Sequence, residues 1–292
     1  MKNSEANMTK GKKDKTTLLL LLTLCALFLL VGFYNGLRIQ AYDVDAKEIE
    51  NHIKIALIAD LHSCSYGEKE RILANEITRQ DPDLILFAGD IFDDEIPDDN
   101  TEYLLEKIAA AYPCYYVTGN HEYWSGSSAF DQKMRILKKY GVIRLSGTVR
   151  TITINGETLN IGGVDDPDSA LLAPAGEQQN TQTVKEQVDR VKKLADNGNY
   201  TVLLSHRPEL TALYDDPRID LTVCGHAHGG QWRIPGLVNG IYAPNQGFFP
   251  KYAGGKYSME HTTMIVSRGL ARESIRIPRF YNRPEIVMIN LH

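Results

Sequence analysis

Cysteine and tryptophan are scarce in this chain, with four and two residues in 292, and internal repeats and long runs of like charge are absent. No two cysteines have the spacing of a thiolate zinc site or a redox pair, so neither a cysteine-held zinc nor a disulfide framework organises the fold. Cys114 and Cys224 lie in apolar runs where a buried free thiol fits. Cys64, two residues past His62, is the thiol placed to approach a site. The absence of repeats excludes a solenoid. No twin arginine precedes the apolar N-terminal run, which points to the general secretory route.

What the chain does have is one long apolar segment. Residues 17–33 are almost wholly apolar and Leu-rich, with Tyr34 as an interfacial flank, and they follow Lys2, Lys10, Lys12, Lys13 and Lys15 against only Glu5 and Asp14. Seventeen residues is the short end of the membrane-spanning range of about 17–25. Positive charge stays inside, so the expected topology is a single pass in the cell membrane with the following domain extracytoplasmic. A cleaved signal peptide has the same order of charge and apolarity, but residues 36–41 supply no convincing small-x-small site. A lipid-modified Cys25 is disfavoured because Leu24 precedes it. The expected organisation is a basic tail at 1–16, a transmembrane signal anchor at 17–34, a linker at 35–52 and one catalytic domain at 53–292. Outside the tail, 27 basic and 35 acidic residues remain of the chain's 32 and 37, a net charge of −8. By its net charge such a surface repels anionic lipid headgroups and nucleic acid, so no nucleic-acid partner is expected.

Five polar clusters, each directly after an apolar strand-like run, carry the chemistry: Asp60-Leu61-His62, Gly89-Asp90, Gly119-Asn120-His121, Ser205-His206 and Gly225-His226-Ala227-His228. In open α/β sheets ligands bind beyond the carboxyl ends of the strands, so these distant clusters should converge. Aspartate, asparagine and histidine without thiolate suit two divalent cations such as manganese, iron or zinc. Paired metals need a shared carboxylate, and Asp90, after Gly89 and in the middle of the set, is the candidate bridge. Alternation along an extended segment would let Asp60 and His62 reach one ion together and would point both His226 and His228 into the site. Arg207 reads as a phosphate clamp or as the partner of a nearby acid. Tyr123 and Trp124 could stack on a substrate or pack beneath the site. Asp165 and Asp166 read as an acidic strand-to-loop turn, and His52, His261 and His292 as surface residues.

The ordered set Asp60-x-His62, Gly89-Asp90-x-x-Asp93, Gly119-Asn120-His121-Glu122, His206 and Gly225-His226-x-His228 resembles the calcineurin-like metallophosphoesterases. Gly119 to Trp124, Gly229-Gly230-Gln231, Ser267 to Leu270 and Arg283 to Ile286 are similar to the membrane-associated bacterial group called YkuE-like or YaeI-like phosphodiesterases. The resemblance implies an α/β fold, a two-sheet αββα sandwich, where the strand and helix alternation alone also allows a doubly wound sheet. It implies one metal on Asp60, His62, Asp90 and His228, the other on Asp90, Asn120, His206 and His226. His121 would be the acid, supported by Asp93. The implied reaction is hydrolysis of a phosphate ester by a metal-bridging hydroxide, with a histidine of unperturbed pKa about 6.5 able to protonate the leaving oxygen.

The expected activity is a phosphodiesterase or pyrophosphatase at the outer membrane face, on a lipid- or cell-wall-linked phosphate ester. Two alternatives stand beside it. One is a UDP-2,3-diacylglucosamine pyrophosphatase-like lipid-precursor hydrolase, whose substrate faces the cytoplasm. The other is a non-catalytic membrane scaffold, which has no need of His121. Around the clusters, periodicity predicts helices over 69–78, 101–111, 129–140 and 182–195, and short strands over 143–145, 149–154 and 159–164 with a turn at Asn155-Gly156. A loop rich in Pro, Gly, Ala and Gln is expected over 166–181, and 229–249 should wrap the mouth of the site.

Overall fold

The computed structural model describes residues 2–172, 180–272 and 277–292. Helix α1 (Lys2–Gly32) leads into strands β1 (Arg38–Val44) and β2 (Ile53–Ile58). Then come α2 (Arg71–Gln80), β3 (Leu84–Ala88), α3 (Asp99–Ile108), β4 (Cys114–Val117), α4 (Asn120–Trp124), α5 (Ser127–Lys139) and β5 (Ile143–Arg144). The second half runs β6 (Thr148–Ile154), β7 (Glu157–Gly163), α6 (Asn180–Leu194), β8 (Tyr200–Leu204), α7 (Thr211–Tyr214) and β9 (Leu221–Cys224). It closes with β10 (Tyr242–Ala243), β11 (Gly247–Phe248), β12 (Gly255–Ser258), β13 (Thr263–Val266) and β14 (Glu285–Leu291).

These strands build two six-stranded mixed sheets, β1-β14-β2-β3-β4-β5 and β12-β13-β9-β8-β7-β6, with a separate β10-β11 ribbon. The parity of the strands explains the layering, since successive side chains point to opposite faces. Ile53, Ile55 and Leu57 of β2 and Leu84 and Leu86 of β3 meet Val202, Leu204, Leu221 and Val223 of the second sheet in one buried core. The alternate residues Ala56, Ile58, Ile85 and Phe87 pack on Leu73, Ile77, Leu104 and Leu105 of the helices outside the first sheet. Leu203, Cys224 and Val266 do the same against Val184, Val188 and Val191. The result is the αββα sandwich. Each fully buried aliphatic side chain contributes about 1.5–3 kcal/mol relative to exposure, so the sheet–sheet core holds the two sets of strand ends at one rim.

The turn at Asn155-Gly156 forms as expected. It joins β6 to β7 in antiparallel register with both residues at positive φ, 53° and 88°, which a two-residue hairpin of the primed type requires. Helix boundaries shift by a few residues from expectation, as helix ends commonly do.

Two expectations need correction. The linker at 35–52 is not a linker throughout, because Arg38–Val44 is an edge strand in parallel register with Glu285–Leu291. Its residues are only half covered, and its partner is distant in sequence, so no local pattern announces it. The loop at 166–181 begins with a 3-10 turn at Pro167–Leu172, while its residues 173–179 lie outside the described residues.

Within α1, Lys15–Gly32 is long and apolar enough to cross a membrane, with 18 residues of mean hydropathy 2.2. Its side chains are exposed along most of their length. Its last turns, by contrast, touch the domain: Phe28 and Phe33 pack on Phe280, and Phe33 meets Trp232 edge-on.

Candidate metal centre

The clusters expected from sequence do converge at one rim of the sandwich. Asp60 and His62 follow β2, Asp90 follows β3, and Asn120 and His121 open α4 after β4. His206 follows β8, and His226 and His228 follow β9. Asp60, Asp90, Asn120, His62, His206, His226 and His228 are all buried, and His121 is partly exposed. Asp60, His62 and His228 offer ligand atoms within 4.8 Å of one another, and so do Asp90, His206 and His226.

The extended geometry expected for Asp60 and His62, and for His226 and His228, is corrected by the backbone. Asp60 and His62 both have φ of 50°, as does Asp90, while His226 and His228 lie at 66° and 46°. These are left-handed conformations that L-residues with a Cβ adopt at a cost of about 1–3 kcal/mol each. The strands end at Ile58, Ala88 and Cys224, two residues before Asp60, Asp90 and His226, and tight left-handed turns re-aim the side chains into a shared pocket. Hydrogen bonds hold the turns: Asp60 N–H donates to Gly89 O at 3.1 Å and His62 N–H to Asp90 O at 3.0 Å. Glycine is required where this backbone crowds. A Cβ at Gly89, φ 83°, would lie 2.5 Å from the His206 ring, and one at Gly119 would lie 2.2 Å from Asp90 Oδ1.

The donor atoms fit cations better than they fit each other. His206 Nε2 stands 3.0 Å from Asp90 Oδ2 and 3.2 Å from His226 Nδ1, so three donors face one point. Asp60 Oδ2, His62 Nε2 and Asn120 Oδ1 are buried without a hydrogen-bond partner. A buried carboxylate oxygen left unpaired costs several kcal/mol in a low-dielectric pocket, so the set is built to be completed by positive charge.

Titration follows the same logic. Burial, reinforced by Asp90, raises the Asp60 carboxyl. Burial also pushes on Asp90, but His206, His121 and His62 outweigh it and hold that carboxyl well below its usual range. His206 is raised to about 10: burial opposes its charge, yet Asp90 and Asp60 prevail, and its imidazolium stands in for a cation. Burial, together with neighbouring His206 and His62 respectively, keeps His226 and His228 well below the usual histidine value, in the neutral form a metal ligand needs.

Supporting contacts depart from expectation at Asp93. The expected partner of His121, Asp93, places Oδ2 3.0 Å from His62 Nδ1 and 3.6 Å from His121 Nδ1. Asp94 is the nearer partner of His121, with Oδ1 2.5 Å from Nδ1. Asp93 is turned away by its own loop, since its Oδ1 accepts the N–H groups of Glu95 and Ile96, both at 2.9 Å.

Arg207 is not disposed as a phosphate clamp. Its Nε and NH2 donate to Asp166 at 2.6 and 2.9 Å, and NH1 donates to Asn245 Oδ1 at 2.6 Å. Burial makes that ion pair the better use of the guanidinium. Asn245 in turn lies 2.8 Å from His226 Nε2, so residues 229–249 do reach the site. Tyr123 packs beneath it, buried and stacked on Phe130 at 4.8 Å. Trp124 is half exposed beside His121, 4.5 Å between rings, and Asp168 accepts its Nε1–H at 2.7 Å. Cys64 is buried outside these clusters, its sulfur accepting the Arg272 N–H at 3.2 Å.

Glu122 was legible only as part of the motif. Its buried carboxylate accepts the N–H groups of Gly119, Asp90 and Phe92 at 2.7, 3.1 and 3.1 Å. Burial and Asp90 push it up to about 7. It ties the β3 and β4 ends into one frame.

Comparison with known proteins agrees with this geometry. The chain is 28% identical to a metallophosphoesterase of Campylobacter jejuni over 308 residues, covering 96% of this chain and 73% of the relative. It is 26% identical to the phosphodiesterase YaeI of Escherichia coli over 245 residues, covering 82% of each. The fold is similar to that of a 5'-nucleotidase precursor from Thermus thermophilus, with a TM-score of 0.50 at 16% identity over 76% of this chain and 50% of that one. Calcineurin-like phosphoesterases use two divalent metals, and the clustered histidines and aspartates have the donors to hold them. Residues 53–230 match the calcineurin-like phosphoesterase profile, and the chain belongs to that family of metal-dependent phosphoester hydrolases.

Proposed function

We propose that this chain is a membrane-anchored phosphodiesterase or pyrophosphatase whose catalytic domain lies outside the cytoplasm and acts on a lipid- or wall-linked phosphate ester. The observation that carries the reading is the pairing of two donor sets across Asp90, whose Oδ2 lies 3.8 Å from His62 Nε2 and 3.0 Å from His206 Nε2, with a partly exposed His121 at their rim. In this reading Asp60, His62, Asp90 and His228 hold one divalent ion, and Asp90, Asn120, His206 and His226 the other. A carboxylate, amide and imidazole set of this kind suits manganese, iron or zinc. Bound there, two cations acidify water and offset the charge of a phosphoryl group.

The protein's own groups do the rest. Asp94 anchors His121 Nδ1, leaving Nε2 to give a proton to the leaving oxygen. Asp93 orients His62 through Nδ1, so that its Nε2 faces the pocket. Trp124 offers a flat apolar face beside His121 for the group attached to the phosphate. Arg207 and Asn245 position His226. Residues 1–16 form a basic tail and 17–34 the anchor, and the catalytic unit begins at β1.

The test is hydrolysis of bis-nitrophenyl phosphate by the purified full chain in neutral detergent, with manganese or with chelator. Manganese-dependent turnover with two ions per chain is expected, and equal rates in both conditions would overturn the reading. For sidedness, protease added to intact wall-stripped cells should remove the domain and leave a small membrane-bound N-terminal fragment. A protected full-length chain would reverse the orientation.

A further inference from the structure

Away from the metal centre, four arginines gather where α1 meets the domain. Arg38, Arg233, Arg268 and Arg283 line a cleft of about 370 Å³ whose other walls include Val31 and Tyr34 from the end of the apolar segment. Glu285 is the one carboxylate lining it among the described residues, and Arg268 NH1 already pairs with it at 3.1 Å. Arg283 donates to the carbonyls of Gly36 and Leu37 at 2.7 and 2.8 Å and lies over the Tyr34 ring. Arg233 gives Nε–H to Asn239 O at 3.0 Å, and Arg38 pairs with the uncharged Gln40. Positive charge is thus left over in the cleft. Burial and the neighbouring Arg268 hold Arg233 down to about 10, the direction expected of a cation short of counter-charge.

The cleft has a defined level relative to the apolar helix. The Tyr281 hydroxyl donates to Phe28 O at 3.1 Å and the Tyr281 N–H to Gly32 O at 2.7 Å. Phe28 is one helical turn inside the apolar stretch, about 6 Å at 1.5 Å per residue. Domain residues therefore lie alongside the final turn, and a helix crossing a bilayer would set the cleft among the headgroups. Beside it, a tight turn closed by Ile234 N–H to Val238 O exposes Leu237 at its tip by 84% and Ile234 by 40%. Trp232 and Phe280 pack against the helix base as an interfacial aromatic pair.

We propose that this cleft binds the headgroup phosphate of an anionic membrane lipid, with Ile234 and Leu237 entering the acyl layer beside the helix. Guanidinium matches phosphate oxygens in pairs, and Arg38 and Arg233 are the two least committed to protein acceptors. The site rests on the anchor reading given above. Its consequence is that the metal-bearing rim is held in a set orientation at the lipid surface.

The experiment uses the full chain in neutral detergent micelles, with Trp124→Phe so that Trp232 reports alone. Acyl-brominated phosphatidylglycerol should quench Trp232 at concentrations about 30-fold lower than brominated phosphatidylcholine, at roughly fivefold per cation. The double variant Arg38→Gln/Arg233→Gln should lose that preference. The single Arg38→Gln, at an exposed position, should lose about fivefold and guards against a folding defect in the pair. Equal quenching by both lipids, or a preference that survives the double variant, overturns the site. Displacement of the lipid by an equal concentration of inorganic phosphate overturns the lipid assignment. Failure of the anchor reading appears in the protease experiment, with the micelle preference intact.

Discussion

The two sheets contribute different chemistry to the same rim. Strands β2, β3 and β4 end in Asp60, His62, Asp90 and Asn120, which bring both carboxylates of the set. Strands β8 and β9 end in His206, His226 and His228, which bring only imidazoles. The acidic side is framed by Glu122, whose carboxylate collects three backbone N–H groups. The imidazole side is held by acceptors: Ala88 O at His206 Nδ1, Asn245 at His226, and Asp60 Oδ1 accepting the His226 N–H. Each of the two ligand groups that face across the rim draws on both sheets. Completing them therefore depends on how the sheets pack, and the first sheet carries the charge that makes the second sheet's histidines useful.

The harshest way to break this asymmetry is Asp90→Asn, which removes the charge facing His206 with little change in shape. Metal content by mass spectrometry should fall together with turnover, by more than about a thousandfold given the several kcal/mol at stake. Two ions per chain with near-normal rates would show that the carboxylate side is not the shared one. Next, His121→Ala should keep its metals and slow esters with poor leaving groups by about 10²–10⁴, and nitrophenyl esters much less. An equal loss on both would make His121 a binding residue.

Glu122→Gln sharpens the contrast in stability rather than rate. An amide nitrogen replaces an acceptor oxygen among three N–H donors, which should cost about 1–3 kcal/mol in thermal or denaturant unfolding. An unchanged midpoint would remove Glu122 from its framing role. The mildest change, Trp124→Ala, should raise KM for aryl esters about two- to tenfold with kcat nearly constant, the scale of one ring contact. A kcat effect instead would tie the ring to the chemistry through His121.

Much of the candidate site was legible because its residues sit directly after apolar strand runs, and such runs announce themselves by composition. The hairpin at Asn155-Gly156 was legible for a similar reason, since its backbone demands particular residues. The motif marked Asp93 alone as the support of His121, and the part played by Asp94 was not legible, because neighbours in a loop differ only in which way the backbone turns them. Arg207 was equally open, and its acceptors, Asp166 and Asn245, lie 41 and 38 residues away on other loops.

Residue chemistry along the chain determined the candidate ligand set, the two-metal character, the apolar N-terminal helix and the family. Those depend on composition and local order. Tertiary structure decided that five of the seven candidate ligand residues stand in left-handed backbone, that β1 completes the first sheet beside β14, and that four arginines meet at the foot of α1. Each of these results from contacts between segments remote in sequence. A strained φ persists only where surrounding packing outweighs it, an edge strand exists only where its partner presents free backbone groups, and like charges converge only where the fold leaves them no other place.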